Sequence, residues 1–377
     1  MSKIIIDIRL LGKGRASGIE EYTKSLVGEF LREDGGNSFW LFYNGARKAP
    51  LPRGWAEARN ARVIDSNIPN KVLDVSARFL GFPRVEAFAG GGDAVFSPHF
   101  NILATRLPRV ITFHDLSFVS HPDFFAWRHH LWHWFQNSRG QARRAERIIA
   151  ISEYTKSDLV NLYGVKPERI SVIYSGVNSM FRKIPADDSG LSACREKFTL
   201  RRPYILYLGT VEPRKNIASL IKAFTLLKSQ AEYRNFELII AGPRGWLFGG
   251  VFAEAGRSRA RDDIRFLGPV ASDDRAYLYN AASLFVYPSF FEGFGFQPLE
   301  AQACGVPVIA SNRTSLPEIL GNSARLIDPW NVEELYEAMK SVFTGSSLRD
   351  FLIGAGYENV KRFTWERAAR ETLSLFR

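Results

Sequence analysis

The sequence predicts an α/β protein built from two doubly wound parallel sheets. Three observations carry this expectation: a length of 377 residues, a hydrophobic content of 46%, and short β-branched or aromatic runs alternating with amphipathic stretches along most of the chain. A chain of this length holds about two domains of ordinary size, with apolar residues enough for a core in each. The alternation is what a parallel sheet covered by helices on both faces requires.

The first series of strands is expected at Ile4 to Ile8, Phe39 to Tyr43, Ala61 to Ile64, Ala94 to Phe96, Val110 to Phe113, Ile148 to Ile151 and Ser171 to Tyr174. After Gly176 the alternation lapses, and the polar stretch Pro185 to Gly190 reads as an interdomain linker. A second series follows at Tyr204 to Leu208, Leu238 to Ala241, Ile264 to Leu267, Leu284 to Tyr287, Val308 to Ala310 and Arg325 to Ile327. A last helix should begin at Trp365 with Thr364 as its N-cap and Glu366 and Arg367 in its first turn. Two such domains, each Rossmann-like, are expected to face each other, with ligands held beyond the carboxyl ends of the strands in the cleft between them.

Composition narrows the partners. Cys194 and Cys304 are the two cysteines of the chain, too few for a disulfide framework, and no paired C-x-x-C suggests a metal. A reducing cytoplasm fits this usage. The N-terminal apolar run is too short and interrupted for a signal peptide, and no stretch of 18 uncharged apolar residues occurs. A net charge of +11 and a pI of about 9.6 call for anionic partners. Nucleic acid is not expected, because no RNP, zinc or helix-turn-helix pattern stands out. The segment 124–147 sets FFAWRHHLWHWF beside Arg139, Arg143, Arg144 and Arg147, a pairing suited to peripheral contact with the inner face of a membrane; the competing reading is a core-packed helix with solvated arginines. His129 and His133 share a helical face but lack an evident third ligand, so packing outweighs metal binding.

The stretch from Phe290 to Gly305 carries the strongest chemical signal. Glu292-Gly293-Phe294-Gly295 is a loop whose glycines admit close backbone approach, and Pro298 suits the first position of a following helix. Such a helix start directs N–H groups and about half a positive charge at a phosphate. Seven residues lie between Glu292 and Glu300, which places one acid in the loop and the other in the first turn, where both can accept hydrogen bonds from sugar or ribose hydroxyls. Arg214 and Lys215 follow the strand Tyr204 to Leu208, where the next helix should begin, and supply countercharge for a diphosphate. His114 follows the strand Val110 to Phe113 and His99 follows Phe96-Ser97-Pro98, so both should open onto the ligand side of the first domain. A competing signal is Gly12-Lys13-Gly14-Arg15-Ala16-Ser17-Gly18, close to the dinucleotide fingerprint. Ser17 stands at its third glycine position, and the second strand ends at Tyr43-Asn44-Gly45 without a ribose-binding acid, which weighs against a dehydrogenase.

Taken together, SGIEEYTKSL from Ser17, TFHDL from Thr112, AISEYTKSDL from Ala150, SGVN from Ser175, GTVEPRKN from Gly209, RFLGPV from Arg265 and the E-x7-E of Glu292 and Glu300 resemble the retaining glycosyltransferases of GT-B fold, glycosyl transferases group 1. The resemblance spans most of the chain and implies an acceptor domain at 1–180, a nucleotide-sugar donor domain at 181–363 and a helix at 364–377 that returns to the first domain. It implies transfer of a sugar from a nucleoside diphosphate to an acceptor hydroxyl in polysaccharide or lipid-linked glycan assembly. GDP-mannose is the favoured donor, from the form of GTVEPRKN, with UDP-sugars and a nucleotide-sugar epimerase as alternatives. Catalytic roles fall on His114, Glu292, Lys215 and Arg214. Donor contacts fall on Gly18, Arg214, Lys215, Gly293, Phe294, Gly295 and Glu300, with Glu300 on the ribose; acceptor contacts fall on His99 and His114. No metal or other cofactor is expected, since no Asp-x-Asp occurs. Relatives often carry an arginine where this chain has Thr210, which shifts that duty to Arg214.

Overall fold

The computed structural model describes residues 2–14, 18–32, 36–45 and 48–376. Arg15, Ala16 and Ser17 of the first glycine-rich loop therefore lie outside the described residues. The chain forms two compact units, one of residues 1–122, 127–176 and 364–377, the other of 123–126 and 177–363.

The first unit is a parallel sheet of β1 (Lys3–Asp7), β2 (Ser38–Phe42), β3 (Ala61–Ile64), β4 (Ala94–Ser97), β5 (Arg109–Phe113), β6 (Arg147–Ala150) and β7 (Ile170–Val172), in the order β3-β2-β1-β4-β5-β6-β7. Ile4 pairs with Phe39 on one side and Ala94 on the other. Strands covered on both faces read as continuous apolar runs, and in β4 and β5 every residue is buried. One core layer gathers Phe100, Phe113, Leu116, Ile148 and Leu159, and another gathers Ile5, Phe42, Leu73, Val85 and Val95. The helix Trp365–Ser374 completes this unit against the helix Gly18–Arg32. Thr364 caps it as expected, accepting from Arg367 N at 3.2 Å. A Cβ on Gly176 would lie 2.3 Å from Trp365 N, so the chain leaves the unit at a residue with no room for a side chain.

The second unit is a sheet of β8 (Tyr204–Leu208), β9 (Glu237–Ala241), β10 (Ile264–Gly268), β11 (Leu284–Tyr287), β12 (Val308–Ser311) and β13 (Arg325–Ile327), in the order β10-β9-β8-β11-β12-β13. All pairs are parallel, and β8 meets β11 through Ile205 opposite Leu284 and Leu206 opposite Phe285. Strand order reverses between β8 and β11, which makes the space beyond their carboxyl ends the switch point where doubly wound sheets hold ligands. The polar stretch Pro185 to Gly190, expected as the linker, lies inside this unit, where Asp188 accepts from Gly190 N at 2.8 Å and caps the helix Ser189–Lys197. The change of unit falls earlier, after Gly176. Among the described residues no helix is long and apolar enough to cross a membrane.

Candidate functional site

Two loops build the site at the switch point of the second unit. The loop after β8 descends into a single 3-10 turn, Pro213–Lys215, rather than directly into a helix. Asn216 then takes a left-handed φ of 54°, held by its amide donating to the carbonyls of Pro288 at 3.1 Å and Pro329 at 2.7 Å, before the helix Ile217–Leu227 starts. This turn aims Arg214 and Lys215 at the loop after β11, where Phe290 N donates to Arg214 O at 2.9 Å.

That second loop enters its helix two residues sooner than expected. The helix is Phe296–Ala303, so Pro298 is its third residue and Glu300 sits beyond the first turn. Gly295, at φ 109°, makes the sharp entry, a conformation that strains any side-chain-bearing residue. Pro298 still costs no hydrogen bond there, because the first four N–H groups of a helix have no internal partner. Thr314 and Ser315 fix the loop from below: Glu292 N donates to Thr314 Oγ1 at 3.0 Å, and Ser315 Oγ donates to the carbonyls of Glu292 at 2.9 Å and Phe294 at 3.0 Å.

The three charged residues predicted to act together do meet. Lys215 Nζ donates to Glu292 Oε1 at 2.6 Å and to the Tyr287 hydroxyl at 2.7 Å. The Tyr287 hydroxyl in turn donates to Gln297 Oε1 at 2.9 Å. Arg214 donates twice to Glu212 Oε1, from Nε at 3.0 Å and Nη2 at 2.8 Å, and lies 3.5 Å from Glu292 Oε2. Lys215, Glu212 and Glu292 are all buried. Burial pulls the Lys215 ammonium below its ordinary pKa, with Glu292 opposing. For Glu292, burial acts upward, but the charges of Lys215 and Arg214 outweigh it and hold the carboxyl below its usual range. Two cations and two carboxylates thus neutralise each other, so any anion drawn to Lys215 would have to compete with Glu292.

Glu300 belongs to a second cluster. Its Oε1 accepts from Arg275, and its Oε2 accepts from the Tyr279 hydroxyl at 2.7 Å. Arg275 and Tyr279 stand four apart on the helix Ser272–Ala281, one face of which meets the Glu300 helix. Both carboxylate oxygens carry a partner.

In the first unit the two predicted histidines are neighbours, with ring centroids 5.9 Å apart. His114 Nε2 donates to Pro98 O at 2.8 Å, and Tyr22 packs its ring edge-on to the imidazole at 4.8 Å. Burial lowers the His114 pKa to about 4, against the opposing pull of Pro98 O and Asp115, so the ring is neutral at pH 7. Gly18 opens the helix Gly18–Arg32. His133 stacks on Phe118 at 3.8 Å, and among the described residues no group of three or more His, Cys, Asp or Glu could hold a metal ion.

Sequence reasoning missed Glu212, Tyr287, Gln297, Arg275, Tyr279, Thr314 and Ser315. Glu212 was in view within GTVEPRKN, and the i, i+4 spacing of Arg275 and Tyr279 marks a shared helix face. Nothing in the sequence ties Thr314 or Ser315 to the loop they support.

Residues 194–359 match the family described as glycosyl transferases group 1, and residues 17–180 match glycosyltransferase family 4. The O-antigen chain mannosyltransferase B of Escherichia coli is 34% identical over 370 residues, covering 96% of each chain. The serotype-specific mannosyltransferase WbdA of Escherichia coli is 30% identical over 245 residues, which are 64% of this chain and 30% of that protein. The crystal structure of Anabaena HepE in complex with UDP-glucose shares the fold, with a TM-score of 0.75, 19% identity and full coverage of both chains.

Proposed function

We propose, from the premise that the chain belongs to the glycosyl transferases group 1 and is a GT-B glycosyltransferase, that it moves mannose from GDP-mannose to an acceptor hydroxyl of a growing polysaccharide or lipid-linked glycan with retention of configuration. The observation that carries this reading is the buried Lys215–Glu292 pair beside Arg214 at the switch point between β8 and β11. It combines countercharge for a diphosphate with an acid for sugar hydroxyls. The relatives named as mannosyltransferases support the choice of sugar.

In this reading donor binding is an exchange of partners. The diphosphate draws Lys215 and Arg214 toward its oxygens, and Glu292, relieved of part of its pairing, accepts hydroxyl protons of the sugar. The internal pair and the contacts to the diphosphate are both charge-assisted, so the exchange replaces one set of strong hydrogen bonds with another. Glu300, oriented by Arg275 and Tyr279, accepts from the ribose. The bond between the anomeric carbon and the phosphate oxygen then breaks, its electron pair leaving with GDP. The acceptor oxygen bonds to the vacated face, and its proton passes to the departing phosphate oxygen. Arg214 and Lys215 stabilise the charge that develops there without a divalent ion. His114 and His99, in the first unit, are assigned to binding the acceptor.

A panel of GDP-, UDP- and dTDP-sugars, followed by nucleotide release and by the anomeric coupling of the product, tests this reading. GDP-mannose should turn over at least tenfold faster than any UDP-sugar and give a product of unchanged anomeric configuration. A UDP-sugar is the second reading, favoured by the fold shared with HepE, whose complex holds UDP-glucose. Interconversion of free nucleotide sugars without transfer would indicate an epimerase.

A further inference from the structure

The first unit carries two apolar stripes that its core does not use. On the helix Asn70–Phe79, Val72, Val75 and Phe79 recur at the spacing of one helical face, and Leu80 extends it; each exposes at least half of its surface, from 50% at Val75 to 77% at Leu80. On the helix Trp127–Gln136, Trp127, Leu131 and Trp134 form a second such face, each exposing more than half. The stripes adjoin: Phe79 meets Phe135 with ring centroids 6.4 Å apart, and the Arg78 guanidinium lies 5.9 Å from the Trp134 ring. The first stripe, with Lys71 and Ser76, lines an open trough of about 660 Å³.

The expected membrane segment 124–147 is thereby divided. Phe124 and Phe125 pack within the second unit, against Phe290 and Trp246, and Trp132, still 37% exposed, stacks on His99. What remains outward joins a helix that the sequence did not single out.

Charge identifies the occupant. Lys71, Arg78 and Arg128 lie on these helices, with Arg84 and Arg139 just beyond them. The two helices hold a single acid, Asp74, and it turns inward to bond Arg9 Nη1 at 3.0 Å. Exposed tryptophan, phenylalanine and valine on two helices whose own outward charges are basic match the interface of an anionic bilayer, where the apolar face enters the acyl boundary and the cations meet headgroup phosphates. We infer that the joined face of the helices Asn70–Phe79 and Trp127–Gln136 docks the protein on an anionic lipid surface. This deepens the proposed use of a lipid-linked acceptor but stands on the surface alone, and vesicle binding requires no turnover, so either idea can fail without the other.

The test is co-sedimentation of the full chain with vesicles of phosphatidylcholine alone or with 30% phosphatidylglycerol. Partitioning should be at least tenfold stronger on the anionic vesicles and should weaken with salt. Tryptophan emission should shift to the blue on binding. The Phe79→Asp/Trp134→Asp variant should lose at least tenfold in partitioning while retaining its thermal transition and its nucleotide release. Should that variant fail to fold, Lys71→Ser/Arg128→Ser, confined to solvated charges, should remove the preference for anionic lipid. Equal partitioning of the variants and the parent chain would overturn the inference. So would a dimer in light scattering that Phe79→Asp/Trp134→Asp dissociates, because the face would then belong to a second copy.

Discussion

Lys215 Nζ stands 2.6 Å from Glu292 Oε1 with both side chains buried, joining the loop after β8 to the loop after β11 by one short ion pair. A pair of this kind is costly to break from one side, since the remaining charge stays out of water. Lys215→Ala should therefore destabilise the protein by about 3 to 5 kcal/mol. Lys215→Met combined with Glu292→Leu, which removes both charges and keeps the volume, should recover most of that loss. Urea unfolding measures both, and transfer activity should be absent from each. A Lys215→Ala variant as stable as the parent would show that the pair is open to water in solution.

The two glutamates should fail differently. Losing a hydrogen bond to a charged partner costs about 1.5 to 3 kcal/mol, roughly ten- to a hundredfold. Glu300→Ala should weaken nucleotide binding by that factor in calorimetry, and Tyr279→Phe by less, because Arg275 still orients the acid. Glu292→Ala should lower turnover more than it raises KM, as the sugar loosens while the nucleotide stays held. Unchanged kinetics in both glutamate variants would remove them from the site.

Activity should persist in EDTA, since Arg214 and Lys215 carry the leaving-group charge in the proposed mechanism. Nucleotide release measured with and without chelator decides this. Complete loss, restored by magnesium or manganese, would overturn that account.

Acid should weaken the first unit through His114. Its folded pKa of about 4 lies below the ordinary 6.5, so between those values the unfolded chain binds a proton that the folded chain refuses. Stability is then fully present above about pH 6.5 and falls as pH drops through 4, by at most about 1.4 kcal/mol per pH unit for this group. His133, lowered to about 4 chiefly by burial, adds in the same direction; Asp158, raised to about 6 chiefly by burial with Asp115 adding to it, opposes. His114→Gln, whose amide can still donate to Pro98 O, should flatten the slope of unfolding free energy against pH relative to the parent chain. An unaltered slope would mean that the imidazole reaches water.

The strands were legible because parallel sheets buried on both faces leave unbroken apolar runs, so Tyr204–Leu208 and Leu284–Tyr287 could be read to the residue. The cap at Thr364 was legible because it is local. The pairing of Lys215 with Glu292 could be anticipated only as a convergence of two loops, and its neutrality could not, since Glu212 lies within a motif whose charges suggest cations. The entry of the helix at Phe296 rather than Pro298 turned on Gly295 taking a positive φ, whereas a proline suits more than one position in a first turn and so did not fix the start. The linker was misplaced because polarity marks exposure, and Pro185 to Gly190 is an exposed helix start rather than a junction.

The first unit is sewn from pieces separated by almost the whole of the second. During synthesis the helix Trp365–Ser374 is made only after residues 177–363, so until then the side of the Gly18–Arg32 helix that it will cover stays open. Newborn chains stalled before Trp365 are the ones in which that uncovered helix would be most open to chaperones and to aggregation.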